Sequence, residues 1–335
     1  MPEKKTFVGL QALRAIAASL VLVQHSLYFS LVAVGADTLP FRQLQLGMTG
    51  VLIFFVISGA VMALATTDEG SKAFALSRLT RIYPAYFLAL CLAYIVLSAD
   101  GVPPQFAPDA SLLLVPTGTL NSELNVPYWT LIYEMQFYFL LWVATLCRAT
   151  HLVRMWLAVG WAFIILAAGA AGIDVPAASP TATQIPFAAL NLFFVLGYVM
   201  ASGMMTREWR PFFALVLLTA TATLFANAWT QFYLAQSVLC AAAVFVGINI
   251  SSGLVPRWMA KVGDYSYGLY LAHLAIVVAI YELEPGWPLW AMISVTLSCG
   301  LLGGLAFGRA EQWLYKRYWR PMSKTAVSVS PAVQL

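Results

Sequence analysis

The sequence predicts an all-α protein, a polytopic transmembrane helix bundle of about ten spans with both termini in the cytoplasm. Three observations lead to this prediction. Hydrophobic residues make up 61% of the chain and charged residues only 10%, whereas a soluble domain carries roughly 25% charged residues. Ten apolar blocks are long enough to cross a bilayer. Nearly all Lys and Arg residues fall in connecting segments that would lie on the same side of the membrane.

The ten blocks follow one another with short connections. A spanning helix needs about 20 mainly apolar residues, and the seventh block satisfies this rule most weakly. The blocks cover residues 8–34, 46–65, 82–98, 127–147, 153–171, 183–202, 211–226, 231–250, 265–281 and 287–307. The first block is too long for a signal peptide and is interrupted by Arg14 and His25, so we expect it to be retained as a span.

The distribution of positive charge predicts the orientation. With the N-terminus in the cytoplasm, all but two of the 18 Lys and Arg residues lie on the cytoplasmic side; the exceptions are Arg42, outside, and Arg14, within a span. This bias predicts an even number of spans. We expect one transmembrane domain over residues 1–321 and a disordered cytoplasmic tail over residues 322–335. We find no internal repeat and expect no attached soluble domain.

Composition also excludes other classes of site. The basic residues are scattered singly and form no run that would follow a phosphate backbone, so no nucleic-acid partner is expected. The four cysteines lie within apolar stretches, with no CxxC motif and no His at metal spacing. They predict packing positions, with no metal site and no disulfide framework. The longest external segment, residues 99–126, either covers an outward opening or is a plain connection.

Ionisable residues inside predicted spans are candidate site residues, because a charge at mid-membrane costs at least about 2.5 kcal/mol. Arg14 and His25 are eleven residues apart, which places them on one helix face about 16 Å apart. Glu134 lies about 10 Å below the external surface, at a depth comparable to that of His25. The two side chains are therefore predicted to meet, with His25 as general base and the carboxylate orienting it. The alternative is a buried structural pair.

Arg78 and Arg81 lie near the cytoplasmic start of the third block. At positions i and i+3 they share a helix face and, with Arg14, form a cationic mouth suited to phosphate. The topology rule favours the alternative that Arg78 and Arg81 are positive-inside anchors, and Arg14 could equally snorkel to the interface. Two interpretations of His273 stay open, lining the site or bonding a neighbouring helix. His151, which lies in a predicted cytoplasmic turn, is expected to be solvated.

Five motifs occur in order along the spans, and together they resemble acyltransferase family 3. They are Arg14 followed by His25, the Phe-rich segment ending in Ser58 and Gly59, the segment from Arg78 to Pro84, the segment from Trp129 to Tyr138, and Ser266, Tyr267, Tyr270 and His273. The resemblance covers residues 7–312 and is strongest to the short exopolysaccharide acetyltransferases. Members of this family are multi-pass O-acyltransferases of the bacterial inner membrane.

The resemblance implies a reaction and assigns residues to it. Acyl-CoA, most often acetyl-CoA, would be the donor, bound from the cytoplasm by Arg14, Arg78 and Arg81. The acceptor would be a hydroxyl of a saccharide, namely an exopolysaccharide, a lipopolysaccharide or a lipid-linked glycan. His25 would deprotonate this hydroxyl or carry the acyl group, and Glu134 would orient His25. The residues expected to line the site are Ser58, Trp129, Tyr133, Tyr267, Tyr270 and His273.

The sequence also departs from the family pattern. Leu52 replaces an acidic residue found in many relatives, and Glu311-Gln312 replaces the usual Glu-Pro pair. A fused esterase-like domain, present in some relatives, is not expected here, so polysaccharide assembly proteins are candidate partners. Two other classes remain as alternatives. A transporter of polysaccharides or small molecules would also place polar groups in its spans, and a scaffold would leave the matching depths of His25 and Glu134 as coincidence.

Overall fold

A computed structural model describes residues 7–65, 70–98, 104, 110–119, 124–223, 228–283 and 286–321. Helices α1 to α11 are Val8–Ala33, Leu39–Arg42, Leu46–Ala65, Ser71–Leu97, Tyr128–Leu146, His151–Ala170, Asn191–Thr206, Arg210–Thr223, Ala228–Asn249, Arg257–Glu282 and Leu289–Leu314. A π-helical turn, Tyr315–Trp319, continues α11. Over the described ranges the only β-type pairing is an isolated bridge between Thr117 and Thr181, which confirms the all-α prediction.

The helices support a multi-pass membrane protein. Within the described ranges, six segments are long and apolar enough to cross a bilayer: Val8–Ala33, Leu39–Leu64, Ser71–Leu97, His151–Ala170, Arg257–Glu282 and Leu289–Trp319. Helices α7, α8 and α9 contain shorter apolar stretches, and α5 is rich in Tyr and Trp. Each of the ten predicted blocks overlaps one of the longer helices. The count of ten crossings and the side of the termini stay predictions.

Two helices begin two turns or more before the apolar blocks that predicted them. Helix α4 starts at Ser71 rather than at residue 82, and α10 starts at Arg257 rather than at residue 265. Both added segments contain Ala, Lys and Arg, which favour helix without being apolar, so a rule based on hydrophobicity alone missed them. As a result, Arg78 and Arg81 lie within α4 and present a fixed helical face.

Helices α1 and α10 pack side by side and run in the same direction. A Cβ atom built on Gly263 of α10 would lie 1.9 Å from the carbonyl oxygen of Gln11 in α1, so only glycine permits this approach. Further along, His25 of α1 contacts His273 of α10. Helix α3 packs on α7 in a similar way, through Gly59 and Gly197. These contacts place α1, α3 and α10 around the candidate site.

Some predictions lie outside the described residues. They include the tail at 322–335, half of the segment 99–126 and the last residues of the seventh block.

Candidate active site

A cavity of about 600 Å³ lies between α1, α3, α4, α5 and α10, towards the N-terminal end of α1. Four guanidinium groups and two carboxylates line it, so the cavity carries net positive charge and favours an anionic ligand. The lining residues with charged or polar side chains are Arg14, Ser58, Ser77, Arg78, Arg81, Thr130, Glu134, Tyr138, Asp264, Ser266, Tyr267, Tyr270, Tyr315 and Arg320.

Most of the residues selected from the sequence meet in this cavity. The residues that line it are Arg14, Ser58, Arg78, Arg81, Glu134, Tyr267 and Tyr270. Four others, His25, Trp129, Tyr133 and His273, do not line it. The structure therefore divides the predicted site into a charged cavity and a separate histidine pair.

Glu134 makes its hydrogen bonds inside the cavity. Its carboxylate accepts one from the Ser58 hydroxyl at 3.3 Å and one from the Tyr138 hydroxyl at 2.5 Å. The predicted contact between Glu134 and His25 is not seen among the described residues: Glu134 bonds Ser58 and Tyr138, whereas His25 bonds His273. Glu134 thus joins α3 to α5 within the wall of the charged cavity.

The depth of Glu134 explains this difference. The prediction counted residues from Pro127 as if that residue lay at the membrane surface. Leu124, Val126 and Tyr128 are instead buried, so α5 begins inside the protein. Thr130 bonds Tyr270, which lies about one turn before His273 on α10. Glu134 follows Thr130 by one turn of α5 and lies on the side of Thr130 that faces away from His273. At 1.5 Å per residue, this places Glu134 about 10 Å from the level of His25.

His25 and His273 form a hydrogen-bonded pair. His25 Nδ1 lies 2.9 Å from His273 Nε2, and the ring centroids are 5.2 Å apart. On its other side, His273 Nδ1 lies 3.0 Å from the carbonyl oxygen of Leu269, one turn earlier in α10. His273 is fully buried. Of the two interpretations left open for this residue, the structure shows the bond to a neighbouring helix.

Three side chains at one end of the cavity lie next to this histidine pair. Phe54, Thr130 and Tyr270 line the cavity at this end. The Tyr270 hydroxyl lies 2.9 Å from the Thr130 hydroxyl, and the Tyr270 ring packs on Phe54 at a centroid distance of 5.6 Å. The opposite side of Tyr270 approaches His273, with ring centroids 6.1 Å apart. Tyr270 therefore lies between the cavity and His273, with Phe54 and Thr130 in contact with it.

Arg81 is held by an ion pair that the sequence did not reveal. Its guanidinium bonds the Glu311 carboxylate of α11 at 2.7 Å and lies over the rings of Tyr267 at 4.6 Å and Tyr315 at 5.1 Å. Glu311 is only 2% exposed. Glu311 lies beyond the tenth apolar block, which ends at residue 307, so the rule for charges within spans that singled out Glu134 did not select it.

Arg78 occupies a neighbouring position on the cavity wall. Its guanidinium carbon lies 5.2 Å from the ring centroid of Phe74 and 5.8 Å from that of Tyr138. Because Tyr138 also bonds Glu134, this arginine and the carboxylate share one partner. Arg320, from the segment after α11, adds a fourth guanidinium to the cavity lining.

Two aromatic residues expected in the site have packing roles. The Tyr133 hydroxyl donates to the carbonyl oxygen of Ala177 at 2.9 Å, and its ring packs on Phe55 at 5.9 Å. Trp129 contacts Tyr133 edge-on. Both belong to the wall behind the cavity. In the described part of the chain, no group of three or more His, Cys, Asp or Glu side chains is placed to bind a metal ion.

Comparison with known proteins identifies the chain's relatives. The family described as "Acyltransferase domain" matches residues 7–309. Acyltransferase MdmB of Streptomyces mycarofaciens is 25% identical over 332 residues, which covers 89% of this chain and 85% of that protein. No solved structure is a significant match.

The ion pair between Arg81 and Glu311 predicts a strong coupling between two substitutions. Arg81→Ala leaves the buried Glu311 carboxylate unpaired, which costs about 3 to 5 kcal/mol. Glu311→Ala leaves the Arg81 guanidinium unpaired and costs less, because that side chain is 31% exposed. The double variant leaves neither charge, so its melting temperature in detergent should fall by much less than the two single losses combined. Thermal unfolding of the four proteins measures this coupling. Additive losses would contradict the pairing.

Proposed function

This chain belongs to acyltransferase family 3, and on that premise we propose that it moves an acyl group from cytoplasmic acyl-CoA to a hydroxyl of a saccharide. Acetyl is the acyl group we favour. The observation that carries the proposal is the cavity in which four arginines surround one space. Family membership makes the chain an acyltransferase and favours this enzyme over the transporter and the scaffold considered from the sequence.

The cavity suits the nucleotide part of coenzyme A. Coenzyme A carries a diphosphate and a 3′-phosphate, and guanidinium groups bind phosphate oxygens in bidentate fashion. A volume of about 600 Å³ falls within the range of roughly 300 to 1,000 Å³ of cofactor sites. In this proposal Arg14 and Arg78 contact the phosphates. Arg81 keeps its ion pair with Glu311, which largely neutralises its charge.

The orientation follows from the distribution of Lys and Arg. We propose ten crossings, both termini in the cytoplasm and a location in the bacterial inner membrane. The cavity then lies on the cytoplasmic side, where acyl-CoA is available. His25 lies about 16 Å further along α1 than Arg14, on the side of the external acceptor. The pantetheine arm passes between Phe54, Thr130 and Tyr270 to bring the thioester to His25.

His25 can act by two routes. As a general base, it takes the proton of the acceptor hydroxyl while that oxygen attacks the thioester carbonyl, and the proton then passes to the departing CoA sulfur. As a nucleophile, its nitrogen attacks the thioester carbonyl, and the carbon–sulfur bond breaks to release CoA as the thiolate. In a second step the acceptor hydroxyl attacks the acyl-histidine, the bond from acyl carbon to nitrogen breaks to restore His25, and the hydroxyl proton neutralises the thiolate. Glu134 orders the cavity by holding Ser58 and Tyr138, rather than by touching His25.

The acceptor is proposed from the family resemblance. It is an exopolysaccharide, a lipopolysaccharide or a lipid-linked glycan presented at the outer side of the membrane. Polysaccharide assembly proteins are proposed partners that deliver this acceptor.

Acyl transfer by the purified chain in proteoliposomes tests the reaction. With labelled acetyl-CoA and a candidate glycan, His25→Ala should lower the transfer rate by about 100-fold or more, because it removes the general base or nucleophile. Binding of CoA should stay within about twofold, since His25 lies outside the cavity. The same assay with His151→Ala is the matched control and should match the wild type. Undiminished transfer by His25→Ala would reject this role.

Binding of CoA at different salt concentrations tests the cavity. Arg78→Ala removes one phosphate contact and should weaken binding by about tenfold, since charge-assisted hydrogen bonds are worth roughly 1.5 to 3 kcal/mol. Arg309→Ala removes an exposed arginine of α11 that does not line the cavity and should leave affinity unchanged. Equal affinity in both variants, with no effect of salt, would place CoA elsewhere.

A further inference from the structure

The bond between His273 and a backbone carbonyl oxygen determines which nitrogen of His273 carries a proton. A backbone carbonyl oxygen can only accept a hydrogen bond. Because the Leu269 oxygen lies 3.0 Å from His273 Nδ1, that nitrogen must carry a proton. The direction of this first bond is therefore set by α10 itself and does not depend on any titratable partner.

The direction of the second bond follows from the first. A neutral imidazole carries one N–H, so the other nitrogen of His273, Nε2, is an acceptor. It lies 2.9 Å from His25 Nδ1, so His25 Nδ1 is the donor. Both rings are taken as neutral because a charged ring within a membrane-spanning helix pair is costly. The remaining nitrogen of His25, Nε2, then holds an unshared electron pair.

Several polar groups of the helices around the pair are bonded to other partners. Tyr270 bonds Thr130, and the Thr296 hydroxyl of α11 pairs with Ser30 of α1 at 3.3 Å. Glu134 is held by Ser58 and Tyr138. The part that a carboxylate plays beside a catalytic histidine in many enzymes is thus filled here by a neutral histidine backed by a carbonyl oxygen.

We infer that His273 is a positioning residue that fixes the tautomer of His25 and makes His25 Nε2 the reactive nitrogen. The inference rests on the proposed function, in which His25 performs the transfer. When Nε2 takes the proton of the acceptor hydroxyl, the resulting imidazolium keeps its Nδ1–H bond to the neutral His273. That bond stabilises the new charge until the proton passes to the CoA sulfur. The nucleophilic route uses the same Nε2.

A set of substitutions at one position separates this role from mere packing. In His273→Gln the side-chain oxygen can reach the place of Nε2 and accept the bond from His25. His273→Asn reaches only the place of Nδ1, and His273→Leu offers no polar atom. We expect Gln to keep kcat within about tenfold of the wild type, and Asn and Leu to lose about 100-fold or more. The KM for acetyl-CoA should change by less than about twofold, because the cavity is unaltered.

Either of two activity patterns, or a simple dependence of activity on melting temperature, would overturn the inference. One is full activity of folded His273→Leu or His273→Asn. The other is a loss in folded His273→Gln as large as that in His273→Leu. Melting temperatures of all variants identify those that fail to fold, and activities that merely follow melting temperature would indicate a packing role alone.

The tautomers themselves can be measured without any acyl transfer. The chain has three histidines, so ¹⁵N-histidine labelling in lipid membranes gives few signals, and His151→Gln removes the one outside the pair. Solid-state NMR should show protonated Nδ1 and unprotonated Nε2 for both His25 and His273. A proton on His25 Nε2 would overturn this inference alone. Absence of transfer by the wild type would instead overturn the proposed function.

Discussion

The close packing of α1 against α10 is the constraint on which the site depends. Gly263 allows the two backbones to approach at Gln11, and the bond between His25 and His273 joins the same helices further along. Because polar groups within a bilayer must find partners inside the protein, this pairing fixes where each ring can lie. It also sets the distance between the charged cavity and the histidine pair.

The charged cavity and the histidine pair differ in charge. This difference suits the proposed donor, which would bind in the cavity and react at His25. The cavity combines four guanidinium groups with Glu134 and Asp264, whereas the histidine pair is bonded to a backbone carbonyl and touches no carboxylate among the described residues. In the proposed reaction, this positive charge attracts the phosphates of the donor. Near His25 an uncharged surrounding keeps the imidazole neutral, which is the form that can accept a proton.

Much of this arrangement could be predicted from the sequence. The cost of charge in a span led to Arg14 and Glu134, which line one cavity with Arg78. The depth of a side chain was harder to predict, because it depends on where a helix begins in the membrane and the start of α5 is buried. Glu311 and its bond to Arg81 join helices far apart in sequence. The apolar pattern of one helix carries no information on such a partner.

In the proposed reaction, the donor extends along α1 from the charged cavity to His25. A structure of the chain with a non-hydrolysable acetyl-CoA analogue, determined in a lipid nanodisc with a bound antibody fragment, measures this path. We predict the phosphates beside Arg14 and Arg78, and the acyl carbon within reach of His25 Nε2, past Phe54 and Tyr270. An acyl group that remains on the arginine side of Tyr270, or a nucleotide bound outside the cavity, would contradict the claim.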